Sequence, residues 1–422
     1  MEKLQEIDLV KKESCRVCGN KKLEEIISLG QQYLIDFLDV SEDNANKAPL
    51  ELVLCSKKDN GCGLLQLKHT VSSEFLYREF WYKSGVNETM RNALADIVSK
   101  AENIVHLESN DTIIDIGAND GTLLRFYGNK GLKLIGFEPA INLVEEAKVG
   151  TTEIINNFFS YENFIERFPD NMAKIVTSIA MFYDLDDPNK FVRDITKILD
   201  TNGIWIIQMN YLTSMLENNA FDNIVHEHLE YYSLKSLEYL LNKHDLTIFD
   251  VELNEINGGS IRTYVKHREC REYPGTRKVE EIRNYEDKID LDNDKPYHQF
   301  AQRIENLRKK TVDFIRNEVQ NGKLVYAYGA STRGNTLLQY YNLDDKLIKA
   351  IADKNPIKWG KRTVGTNIPI ISEEQARKEK PDYFLILPWY FIEEFKTREQ
   401  DYLKKGGKFI VPLPDFHIIN SV

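Results

Sequence analysis

The order of apolar and polar positions changes character several times along this chain, and each change predicts a different kind of structure. From Asp111 onward, short β-branched runs at Thr112–Ile116, 132–137, 174–178 and 203–209 are separated by windows with helical spacing. Continuous apolar runs alternating with helices predict a parallel sheet covered on both faces. Ahead of them, 73–108 reads as helical, with Trp81, Tyr82 and Met90 among its apolar residues. Further on, Phe300, Ile304, Leu307, Thr311, Ile315 and Val319 recur at steps of three and four and predict one amphipathic helix. A strand over 323–328 then opens a second alternation of strands and helices that runs to the C-terminus. Between the two alternations, 269–298 is charged and poor in apolar residues, which predicts a linker or exposed excursion.

At 422 residues the chain is too long for one core. The pattern divides it into a cysteine-bearing module (1–70), a first α/β domain (71–268), a charged linker (269–298) and a second α/β domain (299–422). A net charge of -11 argues against nucleic acid as a partner, because phosphate binding wants a basic face. No apolar run is long enough to span a bilayer, and no charged-then-apolar leader opens the sequence, so a cytoplasmic protein away from membranes is expected. In that compartment thiols stay reduced, and five cysteines suggest a metal before disulfides.

Cys15 and Cys18 form a C-x2-C knuckle, and Cys55 and Cys62 follow in CSKKDNGC. Four thiolates brought together make a closed tetrahedral zinc site, a sensible clip for a segment with little core of its own. Six residues between the second pair is a looser spacing, and a buried thiol without metal is the plainer alternative. Cys270 stands alone and reads as a free thiol.

The segment DTIIDIGANDGTLLRFY carries the strongest chemical signal. A buried strand ends in Asp115, and Gly117, Asn119 and Gly121 form a turn into a helix near Thr122. This is not the G-x-G-x-x-G loop that seats a pyrophosphate. Asp115 would repel one, and it suits the sulfonium and amino group of S-adenosylmethionine instead. The next strand ends in Glu138 and Pro139, where a carboxylate can accept both hydroxyls of a ribose. Asn157 and Phe158, in NNFFS, are placed to flank an adenine. The alternative is that Asp115 and Glu138 are strand-end charges of an unrelated α/β fold.

After the strand near Met209, FDNIVHEHLEYYS packs His226, Glu227, His228, Tyr231 and Tyr232 together. Loops at the carboxyl ends of parallel strands line the ligand crevice, so a titratable cluster there is placed for proton transfer. In an extended segment His226 and His228 share one face. Two histidines bracing the loop are the competing reading. In NGGSIRTYV, Asn257, Gly259, Ser260 and Arg262 form a close-approach turn, with Arg262 able to bind a phosphate or sugar oxygen. A tight turn with a solvated arginine explains it as well. Gly329, Ser331, Arg333 and Asn335, in YGASTRGNTLLQYY, can wrap a phosphate at a helix N-terminus, or simply turn a strand into a helix.

Taken together, CRVCG, CGLLQL, YKSG-VNETM, DIGANDGTLL, GFEPA, FDNIVHEHLEYYS, NGGSIR, YGASTRGNTLLQY, DKNPIKWGK and LILPWY resemble the bacterial sugar C-methyltransferases of deoxysugar biosynthesis over nearly the whole chain. The resemblance implies a monomer with three parts: a zinc module, a Rossmann-like class I S-adenosylmethionine domain, and a second Rossmann-like domain holding the nucleotide of a nucleotide-linked sugar. It implies C-methylation beside the ketone of a 4-keto-deoxysugar through an enolate, for surface glycans or a glycosylated metabolite. His228 matches the base, with Glu227 beside it and Tyr82 near the sugar. Two positions depart from the family pattern. Val225 stands where a tyrosine is usual, and Asp184 where a histidine is usual, and either loss can mark a different acceptor. O- or N-methylation of a related sugar nucleotide, with His228 or Asp184 as base, and an inactive cofactor-binding assembly protein are the alternatives.

Overall fold

The computed structural model describes residues 8–34, 37–39, 42, 46–78, 83–128 and 130–420. Trp81 and Tyr82 lie outside the described residues. The front module is built on three antiparallel strands, β1 (Glu24–Tyr33), β2 (Lys47–Leu54) and β3 (Leu65–Leu67). The helical stretch expected next is broken into α1 (Ser73–Tyr77), a single turn at Ser84–Val86 and α2 (Glu88–Ile104). Asn87 starts α2 by accepting from the Thr89 and Met90 amides, which satisfies two of its free N-terminal donors.

The first α/β domain then lays down β4 (Thr112–Ile116), the short α3 (Thr122–Phe126), β5 (Lys133–Phe137), β6 (Glu153–Ile155), β7 (Ala173–Ile179) and β8 (Leu199–Asn210). All five residues of β4 are buried, as a central strand covered on both faces requires. A two-residue strand, β9 (Glu230–Tyr231), leaves this domain and pairs with β3 of the front module. Helix α4 (Leu234–Asn242), β10 (Leu246–Asn254) and β11 (Ser260–His267) return to the large sheet, whose order is β10-β11-β8-β7-β4-β5-β6. The sheet is parallel from β8 to β6 and antiparallel at β10 and β11.

The expected linker is a folded element. Residues 277–288 form α5 (Arg277–Lys288), and α6 (Lys295–Gln320) follows. Glu286, fully buried, accepts from the Leu234 and Lys235 amides at the start of α4 and from the Tyr211 hydroxyl. A buried carboxylate anchors this helix where the apolar pattern is thin.

The second α/β domain runs β12 (Val325–Tyr328), α7 (Thr332–Tyr341), β13 (Ile351–Asp353), β14 (Ile370–Ser372), β15 (Tyr383–Ile386), β16 (Lys408–Val411) and β17 (His417–Ile419), in the order β14-β13-β12-β15-β16-β17. Both large sheets therefore place their strands third, second, first, fourth, fifth, with the crevice-forming reversal beside the first strand. Front module and second domain share one apolar core: Ile26, Leu50 and Leu52 belong to the same buried cluster as Phe300, Ile304 and Tyr341. The other face of the module, with Cys15, Cys55 and Cys62, packs with the first domain.

Candidate active site

The four cysteine sulfurs lie within 4.8 Å of one another, and none is in a disulfide. Cys15 Sγ and Cys62 Sγ are 3.5 Å apart, and Cys18 Sγ and Cys55 Sγ 3.4 Å. Two thiolates on one tetrahedral zinc sit about 3.8 Å apart, so the donor set fits that ion. The six-residue spacing of the second pair is taken up by a tight turn at Lys57–Asp59, closed by a bond from the Gly63 amide to the Cys55 carbonyl.

At the end of β4 the chain reverses through Gly117, at φ +76, where a Cβ would press on Met181 at 3.1 Å. The Gly117 and Ala118 amides bond to the Phe137 carbonyl, binding the turn to the end of β5. Glu138 follows at once. One of its carboxylate oxygens accepts from the Asn119 amide and the other from the Ala140 amide, both at 2.7 Å. Each oxygen keeps a further lone pair, so the carboxylate is oriented and still able to accept two hydroxyls. Burial pushes the Glu138 carboxyl up to about 7. Asp115 sits beneath the turn, 3% exposed, accepts from Thr177 Oγ1 at 2.6 Å, and is likewise pushed by burial to about 7. These residues fit a ribose and a cationic sulfonium.

The turn carries two further contacts that sequence reasoning missed. The Ser84 amide bonds to Asn119 Oδ1 and the Gly85 amide to Asp120 Oδ2, so the segment after α1 is tied over the turn. Asn156, rather than Asn157, reaches the Glu138 carbonyl, at 2.8 Å. The Asn157 side chain instead accepts from the Phe158 amide, and the Phe158 ring lies 5.4 Å from the Arg78 guanidinium. Gly121 serves packing: a Cβ there would meet the Ala147 carbonyl at 2.7 Å.

His226 and His228 do not share a face, because a turn at 221–223 and irregular backbone after it replace the extended segment. His226 is buried and its Nε2 bonds to the Ala48 carbonyl of β2, a brace between loop and front module. His228 is half-buried, and its Nδ1 lies 2.9 Å from the Asn223 carbonyl. A carbonyl only accepts, so Nδ1 carries the proton and Nε2 keeps its lone pair. Burial pushes the His228 ring down to about 4, so it is neutral above that pH. Tyr183 packs against it edge-on at 4.4 Å.

Around it stand acids and a phenol. Tyr77 of α1 donates to the Glu227 carbonyl at 3.1 Å and also bonds to Asp184. Burial, helped by the charge of Glu227, holds the Asp184 carboxyl well above the usual carboxylate range, and its Oδ1 is buried with no hydrogen-bond partner among the described residues. Tyr77 escaped sequence reasoning because the FLY of a short helix looks like core. Val225 is 3% exposed beneath the loop.

Two expected anion ligands are committed elsewhere. Arg262 is 2% exposed, bonded to Gln208 of β8 and to Asp96 of α2, because its place in β11 points it into the layer under that helix. Arg333 is paired with buried Asp222 and donates to the Asn257 carbonyl. Ser260 bonds back to the Ile256 carbonyl, and a Cβ on Gly259 would collide with Ser214 at 2.4 Å, so that turn packs tightly against the helix after β8.

In the second domain, Gly329 makes the turn after β12, its amide on the Ala352 carbonyl, and Ser331 caps α7 through the Gly334 amide. Buried Asn335 follows one turn into α7. Asp353, at the end of β13, accepts from the Ala330 amide on one oxygen and the Asn355 amide on the other, both at 2.7 Å. That is the Glu138 arrangement repeated, and it was not foreseen. GFEPA and ADKNP, each an acid closing the second strand of its domain, were its signal in the sequence.

Among the described residues no helix is long and apolar enough to cross a membrane. Family models match three successive stretches: a zinc binding domain over 15–77, a methyltransferase domain over 86–251, and a C-methyltransferase C-terminal domain over 255–414. The C-methyltransferase NovU of Streptomyces niveus is 30% identical over 413 residues, 97% of each chain. Among solved structures, an S-adenosylmethionine-dependent methyltransferase from Clostridium acetobutylicum is 14% identical at a TM-score of 0.32, covering 42% of this chain and 92% of its own. The plantazolicin methyltransferase BpumL in complex with SAH is 13% identical at 0.34, covering 42% and 84%. With a relative aligned along almost its full length and all three parts matched in order, the chain belongs to the sugar C-methyltransferase family and is an S-adenosylmethionine-dependent methyltransferase with a structural zinc module.

Proposed function

We propose that the protein methylates the carbon beside the ketone of a nucleotide-linked 4-keto-deoxysugar, for surface glycans or a glycosylated metabolite. The observation that carries the reading is the tautomer of His228. Its proton is fixed on Nδ1 by the Asn223 carbonyl, so Nε2 keeps a lone pair that can act as a base. S-adenosylmethionine, when bound, supplies an electrophilic methyl group on a sulfonium. Glu138 orients the ribose through its two oxygens, and the turn at Gly117 lets backbone approach closely. His228 Nε2 takes the proton from the carbon beside the ketone, and the electron pair moves onto the ketone oxygen. Asp184, its carboxyl held above the usual range by burial, can present an O–H to that oxygen, while Tyr77, whose one proton goes to the Glu227 carbonyl, positions it. Asp184 thus supplies a donor where the family usually has a histidine, which favours the C-methyl reading over methylation of a hydroxyl or amine. The Asp353 clasp supports a nucleotide site in the second domain.

The test is methyl transfer from labelled S-adenosylmethionine to freshly prepared 4-keto-6-deoxyhexose nucleotides in deuterated water. A non-hydrolysable C–CH3 product, or deuterium exchange beside the ketone, supports the enolate route. Binding of the cofactor with neither transfer nor exchange sinks it, and hydroxyl- or amino-sugar nucleotides become the substrates to assay.

A further inference from the structure

Asp222 is 1% exposed, one residue before the carbonyl that fixes the tautomer of His228. A buried carboxylate alone is expensive, and this one is matched from the other side of the crevice. Arg333, the second residue of α7, donates from Nε to Asp222 Oδ2 at 2.9 Å and brings Nη2 to 2.7 Å of the same oxygen. Trp389 Nε1 adds a third donor at 3.2 Å. The guanidinium lies 4.5 Å from the centre of the Tyr390 ring, and its Nη1 donates to the Asn257 carbonyl. A single side chain of the second domain therefore ties together the turn at Phe221–Asn223, the turn at Ile256–Gly258 and the turn at Trp389–Phe391.

Asn223 sits at the focus. Its carbonyl takes His228 Nδ1 at 2.9 Å and the Tyr231 hydroxyl at 3.3 Å, and its side chain takes Asn210 Nδ2. Moving Asp222 tilts the peptide that carries this carbonyl, and the imidazole turns with it. The charge of Arg333 also disfavours a proton on His228. The other titratable groups beside the imidazole are Tyr183, edge-on at 4.4 Å, and Tyr231, which shares the Asn223 carbonyl; Asp184 and Glu227 adjoin Tyr183 and His228 in the chain.

We propose that Arg333 and Asp222 form an interdomain clamp that positions His228 through the Asn223 carbonyl, so that Arg333 is a positioning residue for the base and does not hold a substrate phosphate. This rests on His228 being the base. It makes the second domain a working part of the proton-transfer site.

The test uses the zinc-loaded full chain with labelled histidine. The variants are Arg333→Gln, Arg333→Lys and the milder Trp389→Phe, and His228→Ala serves for assignment and as the check on the base. The ring nitrogens of His228 are titrated by NMR, and kcat and KM for the sugar nucleotide are measured across pH. In Arg333→Gln the imidazole should lose its fixed Nδ1 tautomer and titrate higher. There, kcat should fall about a hundredfold, as misplacement of a reacting group by about 1 Å does, with KM for the sugar nucleotide changed less than about threefold. Arg333→Lys should recover part of both, and Trp389→Phe should shift the titration a little in the same direction. A KM raised tenfold or more, with kcat and the titration unchanged, makes Arg333 a substrate ligand and overturns the proposal. Full turnover in His228→Ala removes the base assignment alone, since the clamp is read from the ring titration in Arg333→Gln. If Arg333→Gln does not fold, unchanged titrations in the other two variants overturn the clamp.

Discussion

Two strand-to-helix turns, one in each α/β domain, hold an acid in the same way and do opposite things with charge around it. Glu138, after β5, is caught between the Asn119 amide of the turn after β4 and the Ala140 amide, and Asp353, at the end of β13, between the Ala330 amide of the turn after β12 and the Asn355 amide. In the first turn the helix start is already taken by a carboxylate, since Asp120 accepts from the Thr122 amide. Asp115 lies just below. An anion would meet two acids there, whereas a sulfonium and a ribose meet none of the wrong sign. In the second turn the helix start is capped by the neutral Ser331, and Lys358 lies 3.7 Å from Asp353. A phosphate is tolerated there. The acid clasp is thus a scaffold common to both turns, and on the proposed function the neighbouring charges would decide which part of the ligands each accepts.

The comparison can be broken at four places, in descending size of effect. As the proposed base, His228 carries the largest effect: His228→Ala should lower kcat by about 10² to 10⁴, the span of general-base catalysis, and leave both binding constants in place. Wild-type turnover in a stopped assay would count against the base. Glu138→Ala removes two charge-assisted bonds to a ribose and should weaken S-adenosylmethionine binding about a hundredfold. Calorimetry should find the sugar nucleotide unaffected, and unchanged cofactor affinity would show the clasp to be architecture only. Asp353→Ala should do the converse, raising KM for the sugar nucleotide about tenfold. Loss of cofactor affinity in that variant would mean that the two crevices are not separate. The smallest effect is a proton. Asp115 and Glu138 are held near 7 by burial in the free protein, and a bound sulfonium with ribose hydroxyls favours their charged forms. Binding should therefore release up to about one proton near pH 6.5, and affinity should be highest above pH 7 and fall as pH drops through it. Titration in two buffers of different ionisation enthalpy measures it, and no release would place both carboxylates outside the cofactor's reach.

The same contrast explains how much was legible in the sequence. Thr112–Ile116 was readable to the residue, because its three isoleucines and a threonine form a β-branched run broken only by Asp115, with a glycine turn behind it. The long helix α6 was readable because its stripe is complete. Helix α5 was not, since its anchor is the carboxylate of Glu286, and an apolar pattern gives no weight to a buried charge. Asp115, Glu138 and His228 could be named as candidates from local context. His226 did not, because its partner, Ala48, is 178 positions away. Arg262 and Arg333 were misjudged for a related reason: a guanidinium in a loop-like segment looks free until its acid is known, and Asp96 and Asp222 come from other elements.

The shared core of front module and second domain bears on how the chain is made. Ile26, Ile27, Leu50 and Leu52 emerge from the ribosome hundreds of residues before their apolar neighbours on α6 and β12 to β16. Contacts of such sequence separation form late, and until then the early strands would show bare apolar surface. The four cysteines all lie before residue 63, so metal capture can proceed on the nascent chain. A zinc clip at these cysteines would hold the early strands together before the later ones arrive to cover them.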